Sequence, residues 1–360
     1  MSIAKFESRL KDLIILAAGG TGGHVFPAVA LAEELEKRNY KVIFATDERG
    51  LKYLGKYGNS AIVQKTDTSS RARLYLDLVK NIFKSFFKLF RLKPKIVIGF
   101  GGYPSVPFVA AFQLRLGLTI IHEQNAVIGK ANDLLSKMAY KIVTSFPKTI
   151  GIPIIRIENY IGNPTRFEKQ YDSVKAPSND VFTILIFGGS QGASIFSEKI
   201  LDAICKLSEY EEIKVYHQGR KEDIAKIKSA YDKFNIENTT SDFFANIDEL
   251  YKKSDLVISR SGASTIFEII GFKKPSILIP YKNSINGDQE ENAKFLEENN
   301  AAIVLREPQL NEEIIVGILR QLVDSPEKMK KMSDNLAELR QKDPAKKFAD
   351  LIETILKPVS

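Results

Sequence analysis

The chain has 360 residues, 44% of them hydrophobic, a net charge of +8 and one cysteine. That length carries two domains, each with its own core, and the lone Cys205 excludes an internal disulfide and points to a reducing, cytoplasmic compartment. No apolar run reaches the roughly 20 residues that span a bilayer. The excess charge sits in one segment instead of along a groove or arm, so no nucleic-acid partner is expected.

Basic residues Lys5, Arg9 and Lys11 before Leu13–Ala18 imitate a signal peptide, but the apolar run is too short and leads into glycines, so it reads as a first strand. Gly19-Gly20-Thr21-Gly22-Gly23-His24 follows, and then an amphipathic helix from Val25 to Arg38 with Pro27 in its first turn. Glycines let backbone N–H groups face a ligand and the helix dipole adds positive charge there, which suits phosphate or diphosphate. The spacing is neither G-x-G-x-x-G nor G-x-x-x-x-G-K-[ST]. His24 at the lip is a candidate proton acceptor; the plain alternative is that it caps the helix or positions diphosphate.

After a strand at Val42–Thr46, the segment Arg71 to Lys95 holds eight Lys/Arg against one acid, Asp77. Plotted at about 100° per residue from Leu74, its apolar residues cover roughly 220° and Lys80, Lys84, Lys88 and Arg91 fill the rest. A helix packed on a core needs an apolar stripe only a little over about 100° wide. The surplus is either buried by neighbouring elements or suited to an anionic membrane surface.

Strands at Ile96–Phe100, Thr119–His122 and Lys141–Thr144 continue the alternation with helices. Gly99 to Ser105 forms a second glycine turn, and His122-Glu123-Gln124-Asn125 ends the next strand, where an inward histidine beside a carboxylate is either catalytic or a satisfied core residue. Asn163 to Asn179 reads as a linker. The pattern then restarts with Phe182–Phe187, Lys214–His217, Leu256–Ser259, Ser276–Ile279 and Ala302–Leu305. The first of these runs into Gly188-Gly189-Ser190-Gln191-Gly192-Ala193; His217 reads as structural or ligand-lining.

Ser259 to Glu268 again joins a strand to a helix. Ser261, Ser264 and Thr265 offer hydroxyls, the amides near Gly262 and Ala263 suit a diphosphate, and Glu268, one turn in, suits a ribose diol. A capped helix with a structural glutamate is the alternative. Asp288 and Gln289 suit sugar hydroxyls, or an N-cap with a polar first turn. The fold class is α/β: two Rossmann-like, doubly wound parallel sheets, expected to face each other across a cleft. There is no C-x-x-C, H-E-x-x-H or Asp-x-Asp. Direct displacement at an activated phosphorylated carbon, helped by one base and without metal or cofactor, is therefore the most economical chemistry.

In order, Gly19–His24, His122–Asn125, Gly162-Asn163-Pro164-Thr165-Arg166, Gly188–Ala193, Arg260–Ala263 and Asp288-Gln289-x-x-Asn292-Ala293 resemble the MurG family over nearly the whole chain. The resemblance implies a GT-B fold, with residues 1–162 and a returning C-terminal helix at 345–360 forming the acceptor and membrane-facing domain, and 163–344 the UDP-sugar domain. It implies an inverting transfer of N-acetylglucosamine from UDP-N-acetylglucosamine to undecaprenyl-pyrophosphoryl-N-acetylmuramoyl-pentapeptide (lipid I to lipid II), at the cytoplasmic face of the inner membrane. His24 is the implied base, and Thr21, Gly22 and Gly23 face the acceptor diphosphate and the transferred sugar. Asn125 and Gln289 contact the sugar, and Arg166 sits near the donor diphosphate. Ser190 and the turn Ala263, Ser264, Thr265, Ile266, Phe267, Glu268 hold the donor, with Glu268 on the ribose. Phe244 occupies the position whose backbone reads uracil. Competing readings are another GT-B transferase, a UDP-N-acetylglucosamine epimerase, or a binding scaffold without turnover.

Overall fold

The computed structural model describes residues 11–65, 70–152, 157–172, 181–189 and 192–357. The chain divides into two compact units, one of residues 1–166 with 341–360 and one of Phe167–Arg340.

The first unit carries a seven-stranded, all-parallel sheet: β1 (Lys11–Ala17), β2 (Tyr40–Thr46), β3 (Ile62–Val63), β4 (Ile96–Gly99), β5 (Leu118–Glu123), β6 (Lys141–Thr144) and β7 (Ile157–Tyr160), in the order β3-β2-β1-β4-β5-β6-β7. Both faces of such a sheet are covered, so its strands read as continuous apolar runs. Side chains alternate between faces: Ile14 and Leu16 of β1 pack with α1 (Gly22–Lys37), while Ile15 and Ala17 pack on the other side with α2 (Arg71–Leu92) and α3 (Val106–Gln113). A short α4 (Lys130–Ser136) follows β5.

The second unit carries a six-stranded parallel sheet: β8 (Phe182–Phe187), β9 (Ile213–Gln218), β10 (Glu237–Ser241), β11 (Leu256–Ser259), β12 (Ser276–Leu278) and β13 (Ile303–Val304), ordered β10-β9-β8-β11-β12-β13. Its helices include α5 (Leu201–Leu207), α6 (Ile224–Lys233), α7 (Ile247–Lys253), α8 (Ala263–Phe272), α9 (Asp288–Glu298), α10 (Glu312–Val323) and α11 (Pro326–Leu339).

The last helix, α12 (Pro344–Leu356), packs in the first unit's core through Phe348, Ala349 and Ile352. Arg38 at the end of α1 anchors it by ion pairs to Asp350 (2.7 Å) and Glu353 (3.2 Å).

Three strands differ from expectation. β3 and β7 are short edge-side strands, and β10 (sequence Glu-Asn-Thr-Thr-Ser) is a polar edge strand with no apolar run to announce it. Helix α1 begins at Gly22, three residues before the expected start. Pro27 therefore lies inside the helix, where its missing N–H forgoes one helical hydrogen bond.

Candidate functional site

Ligands of open α/β sheets bind beyond the strand C-termini where the strand order reverses. That point lies between β1 and β4 in the first sheet and between β8 and β11 in the second. The four glycine turns leave these four strand ends.

In the first unit, Thr21 is the extended N-cap of α1 (φ −125°, ψ 163°), and its side chain makes no capping hydrogen bond. Ser70 and Asn311, in contrast, accept from the first turns of α2 and α10 at 3.3 and 2.7 Å. The first turn of α1, with Gly22 and Gly23, thus keeps N–H groups and a positive dipole end for an anion. Asp47, just past β2, pins the glycine loop: its Oδ1 accepts from the N–H groups of Gly20 and Gly50, both at 2.9 Å, and Arg49 Nε donates to Oδ2 at 3.0 Å. Burial raises the Asp47 pKa, but these donors prevail and hold it below the usual carboxylate range.

Gly101 and Gly102, after β4, close over the His24 ring with φ of +88° and +74°. A Cβ on Gly101 would lie 3.2 Å from His24 Cε1 and Nδ1, and one on Gly102 would lie 2.9 Å from the Gly19 carbonyl. Both conformation and space therefore require glycine.

From His24 a line of hydrogen bonds runs inward. His24 Nδ1 lies 3.2 Å from Gln124 Oε1, and Gln124 Nε2 lies 2.8 Å from His122 Nδ1. His122 Nε2 lies 3.2 Å from Ser145 Oγ, which donates to Asn163 Oδ1 at 3.2 Å. His122 is fully buried between the rings of Phe100 and Phe348, at 5.3 and 5.6 Å. Burial pushes its pKa down to about 3, against a hydrogen bond to the Gly162 backbone that raises it, so it is neutral. It is a core histidine with a partner at both ring nitrogens. Glu123, the carboxylate beside it, is 1% exposed. Its Oε1 accepts from the Asn125 backbone (3.0 Å) and its Oε2 from the Gly129 N–H (3.0 Å) and Asn132 Nδ2 (2.8 Å). Glu123 ties down the loop that carries Asn125. Arg166 lies with its guanidinium 4.4 Å from the centre of the Phe26 ring, on α1.

In the second unit, Gly262 is the N-cap of α8 (φ −63°, ψ 148°), again with no side-chain cap. Ser264 Oγ is buried without a hydrogen-bond partner among the described residues. Ile266 and Phe267 turn their side chains into the core, and the Ile266 N–H donates to the Gly262 carbonyl at 3.0 Å. Ala263 is buried as well, and Ser264, Thr265 and Glu268 are half-buried. Glu268 is oriented by Tyr251, whose hydroxyl donates to Oε2 at 3.2 Å and whose ring stacks on Phe272 at 4.8 Å. Nothing in the sequence marks Tyr251, one tyrosine in the short helix Ile247–Lys253.

The start of α9 is tied to that of α8. Ser261 Oγ donates to the Gln289 carbonyl (2.7 Å), and Asn292 Nδ2 donates to the Ser261 carbonyl (3.1 Å). The Gln289 side chain accepts from the Tyr281 N–H at 3.0 Å. Arg260 is a structural residue. It pairs with Glu307 at 2.7 Å and donates to the carbonyls of Ile279 and Pro280 at 3.0 and 3.2 Å. Phe244 is buried between β10 and α7, with its neighbour Phe243 exposed. His217 is buried against Tyr231 (Nδ1 to hydroxyl, 2.7 Å), and burial pushes its pKa down to about 3. Ser190 and Gln191 lie outside the described residues.

Residues 14–144 match the glycosyltransferase family 28 N-terminal domain, and residues 183–354 match the C-terminal domain of that family. A UDP-N-acetylglucosamine--N-acetylmuramyl-(pentapeptide) pyrophosphoryl-undecaprenol N-acetylglucosamine transferase from Sinorhizobium fredii is 37% identical over 358 residues, covering 96% of each chain. The enzyme of that name from Rickettsia bellii is 38% identical, over 95% of this chain and 99% of its own. The chain belongs to the MurG family. A crystal structure of Acinetobacter baumannii MurG superposes with a TM-score of 0.80 at 25% identity, over 96% of this chain and all of the other. A crystal structure of a UDP-N-acetylglucosamine 2-epimerase homologue from Listeria monocytogenes superposes with a TM-score of 0.71 at 14% identity, a likeness of fold alone. The MurG family is thus a GT-B glycosyltransferase family whose glycine turns, in this chain, mark both switch points. No group of three or more His, Cys, Asp or Glu able to hold a metal occurs among the described residues.

Proposed function

We propose that this chain transfers N-acetylglucosamine from UDP-N-acetylglucosamine to the muramoyl 4-hydroxyl of undecaprenyl-pyrophosphoryl-N-acetylmuramoyl-pentapeptide, the step from lipid I to lipid II in peptidoglycan synthesis. The observation that carries this reading is membership of the MurG family over 95–96% of the chain, with the Gly19–His24 motif at the first unit's switch point and His122–Asn125 ending β5, the next strand beyond β4.

The second unit binds the donor. The uncapped start of α8 at Ala263–Thr265, with Ser190, faces the diphosphate, Glu268 accepts from the ribose hydroxyls, the Phe244 backbone meets uracil, and Gln289 meets the sugar. The first unit binds the acceptor diphosphate at Thr21–Gly23, with Asn125 toward the sugar and Arg166 toward the donor diphosphate. His24 takes the proton of the acceptor hydroxyl as its oxygen bonds to the anomeric carbon. The bond from that carbon to the diphosphate oxygen breaks, and UDP leaves with the electron pair, inverting the configuration.

The acceptor is a lipid, and α2 supplies a surface for its membrane. Tyr75, Leu76, Val79, Phe83, Phe87 and Phe90 are all exposed, and Lys80, Lys84, Lys88 and Arg91 lie beside them. No helix among the described residues is long and apolar enough to cross a membrane. An exposed aromatic face flanked by cations supports peripheral attachment to an anionic leaflet, and the reading puts the enzyme at the cytoplasmic face of the inner membrane.

The test is incubation with radiolabelled UDP-N-acetylglucosamine, with and without a lipid I analogue. Acceptor-dependent UDP release with label on the lipid is expected. Sugar isomerisation without acceptor, or binding without turnover, would overturn the reading.

A further inference from the structure

We infer that Gln124 is a positioning residue: its amide, oriented by the buried His122–Ser145–Asn163 line, holds the His24 ring with the proton on Nδ1 and the lone pair on Nε2. The inference rests on the proposal that His24 is the base and says which of its nitrogens acts and why.

The direction of the line follows from its inner end. Asn163 Oδ1 is an acceptor, so the Ser145 hydroxyl donates to it. A hydroxyl has one proton, and Ser145 gives it to Asn163, so toward His122 Nε2 at 3.2 Å it can only accept and the His122 proton is on Nε2. Being neutral, His122 then presents a lone pair at Nδ1. Only the NH₂ end of Gln124 satisfies that lone pair, at 2.8 Å. The Gln124 NH₂ also lies 3.3 Å from the His122 carbonyl, a second acceptor that fixes the same amide orientation. The oxygen of Gln124 must therefore face His24 Nδ1, at 3.2 Å, and it can only accept. A neutral His24 on that partner carries its proton on Nδ1, and Nε2 is left to take a proton.

The arrangement is rigid where a general base needs rigidity. Gln124 is 1% exposed, and Gly101 packs against the Cε1–Nδ1 edge of the His24 ring. An amide differs from the carboxylate that often backs a base histidine: it selects the tautomer without adding a charge, so it does not compete for the proton His24 must later release.

The chain contains three histidines, so ¹⁵N-histidine labelling of the whole protein gives three resolvable imidazoles. In the spectrum of the neutral imidazoles, His24 is expected to carry its proton on Nδ1 and His122 on Nε2; assignment uses the signal lost in His24→Ala. Gln124→Met keeps the volume and removes both polar ends, and should lower kcat by about tenfold to a hundredfold with little change in the UDP-N-acetylglucosamine KM. Gln124→Glu keeps the acceptor toward His24 and should retain more kcat than Gln124→Met. In a His24→Ala background, Gln124→Met should have no further effect on kcat, because its action passes through His24. A His24 protonated at Nε2, or a Gln124→Met loss that persists undiminished without His24, overturns the inference. Failure of the base proposal itself reads differently: His24→Ala alone would then keep nearly full kcat, whatever the tautomer.

Discussion

The ring of Phe348, in the last helix, lies 5.6 Å from that of His122 at the end of β5, and Phe100 at the end of β4 completes the enclosure. A helix that follows the whole second unit in sequence thus seals the buried end of the hydrogen-bond line reaching His24. Phe348→Ala should destabilise the first unit by about 3–5 kcal/mol, the cost of truncating a buried aromatic that cannot be replaced by collapse. Urea unfolding of the variant followed by probes in each unit checks this, with the second unit's transition expected to move little.

Acid stability follows from the two buried histidines, one in each unit. His122 and His217 have pKa values pushed by burial to about 3, against about 6.5 when unfolded. Above pH 6.5 both are neutral in both states and ionisation adds nothing. Below it the unfolded chain binds protons that the folded chain refuses, so stability falls toward pH 3 and levels off there. The slope is about 1.4 kcal/mol per pH unit for each histidine. Urea midpoints measured from pH 7 to pH 4.5 should fall accordingly; midpoints that stay flat would mean the folded histidines accept protons.

On the donor side, Glu268→Ala removes a charged acceptor worth roughly 1.5–3 kcal/mol per hydrogen bond. The KM for UDP-N-acetylglucosamine should rise at least tenfold with the fold intact. Tyr251→Phe removes only the hydroxyl that orients Glu268 at 3.2 Å, so its rise should be a few-fold, about 0.5–1.5 kcal/mol. Steady-state kinetics at saturating acceptor distinguishes the two, and an unchanged KM in Glu268→Ala would remove that residue from the ribose.

For the membrane surface, Phe83 and Phe87 are 65% and 67% exposed. Phe83→Ser with Phe87→Ser, or Lys80, Lys84 and Lys88 all changed to Glu, should weaken co-sedimentation with anionic liposomes. The lysine contribution should also fade with salt, each cation near the surface being worth about 1 kcal/mol. Activity on a short-chain soluble acceptor should survive. Equal liposome binding by both variants would leave attachment to another surface.

Much of the fold was legible because parallel strands covered on both faces read as near-continuous apolar runs, as Leu13–Leu16 and Ile184–Phe187 do. β10 was not, since an edge strand of Glu, Asn, Thr and Ser leaves no hydrophobic trace. In α2 the width of the apolar arc was readable but its inward sector was not. The buried face includes Asn81, which donates to the Lys65 carbonyl, and Ser85, which accepts from Gln64, while four of the five aromatics point outward. At the site, glycine spacing marked where an anion binds. It did not show that Gln124 bridges His24 and His122, or that Glu123 is occupied by the loop it holds, because those contacts join residues brought together only by the sheet.

Transfer through His24 is tested most directly by single-turnover kinetics of His24→Ala with labelled UDP-N-acetylglucosamine and a lipid I analogue. The rate of label transfer should fall by about 10²–10⁴-fold, the usual contribution of a general base, with donor affinity nearly unchanged. A loss of less than about tenfold, or a loss confined to donor affinity, would contradict His24 as the group that takes the acceptor's proton.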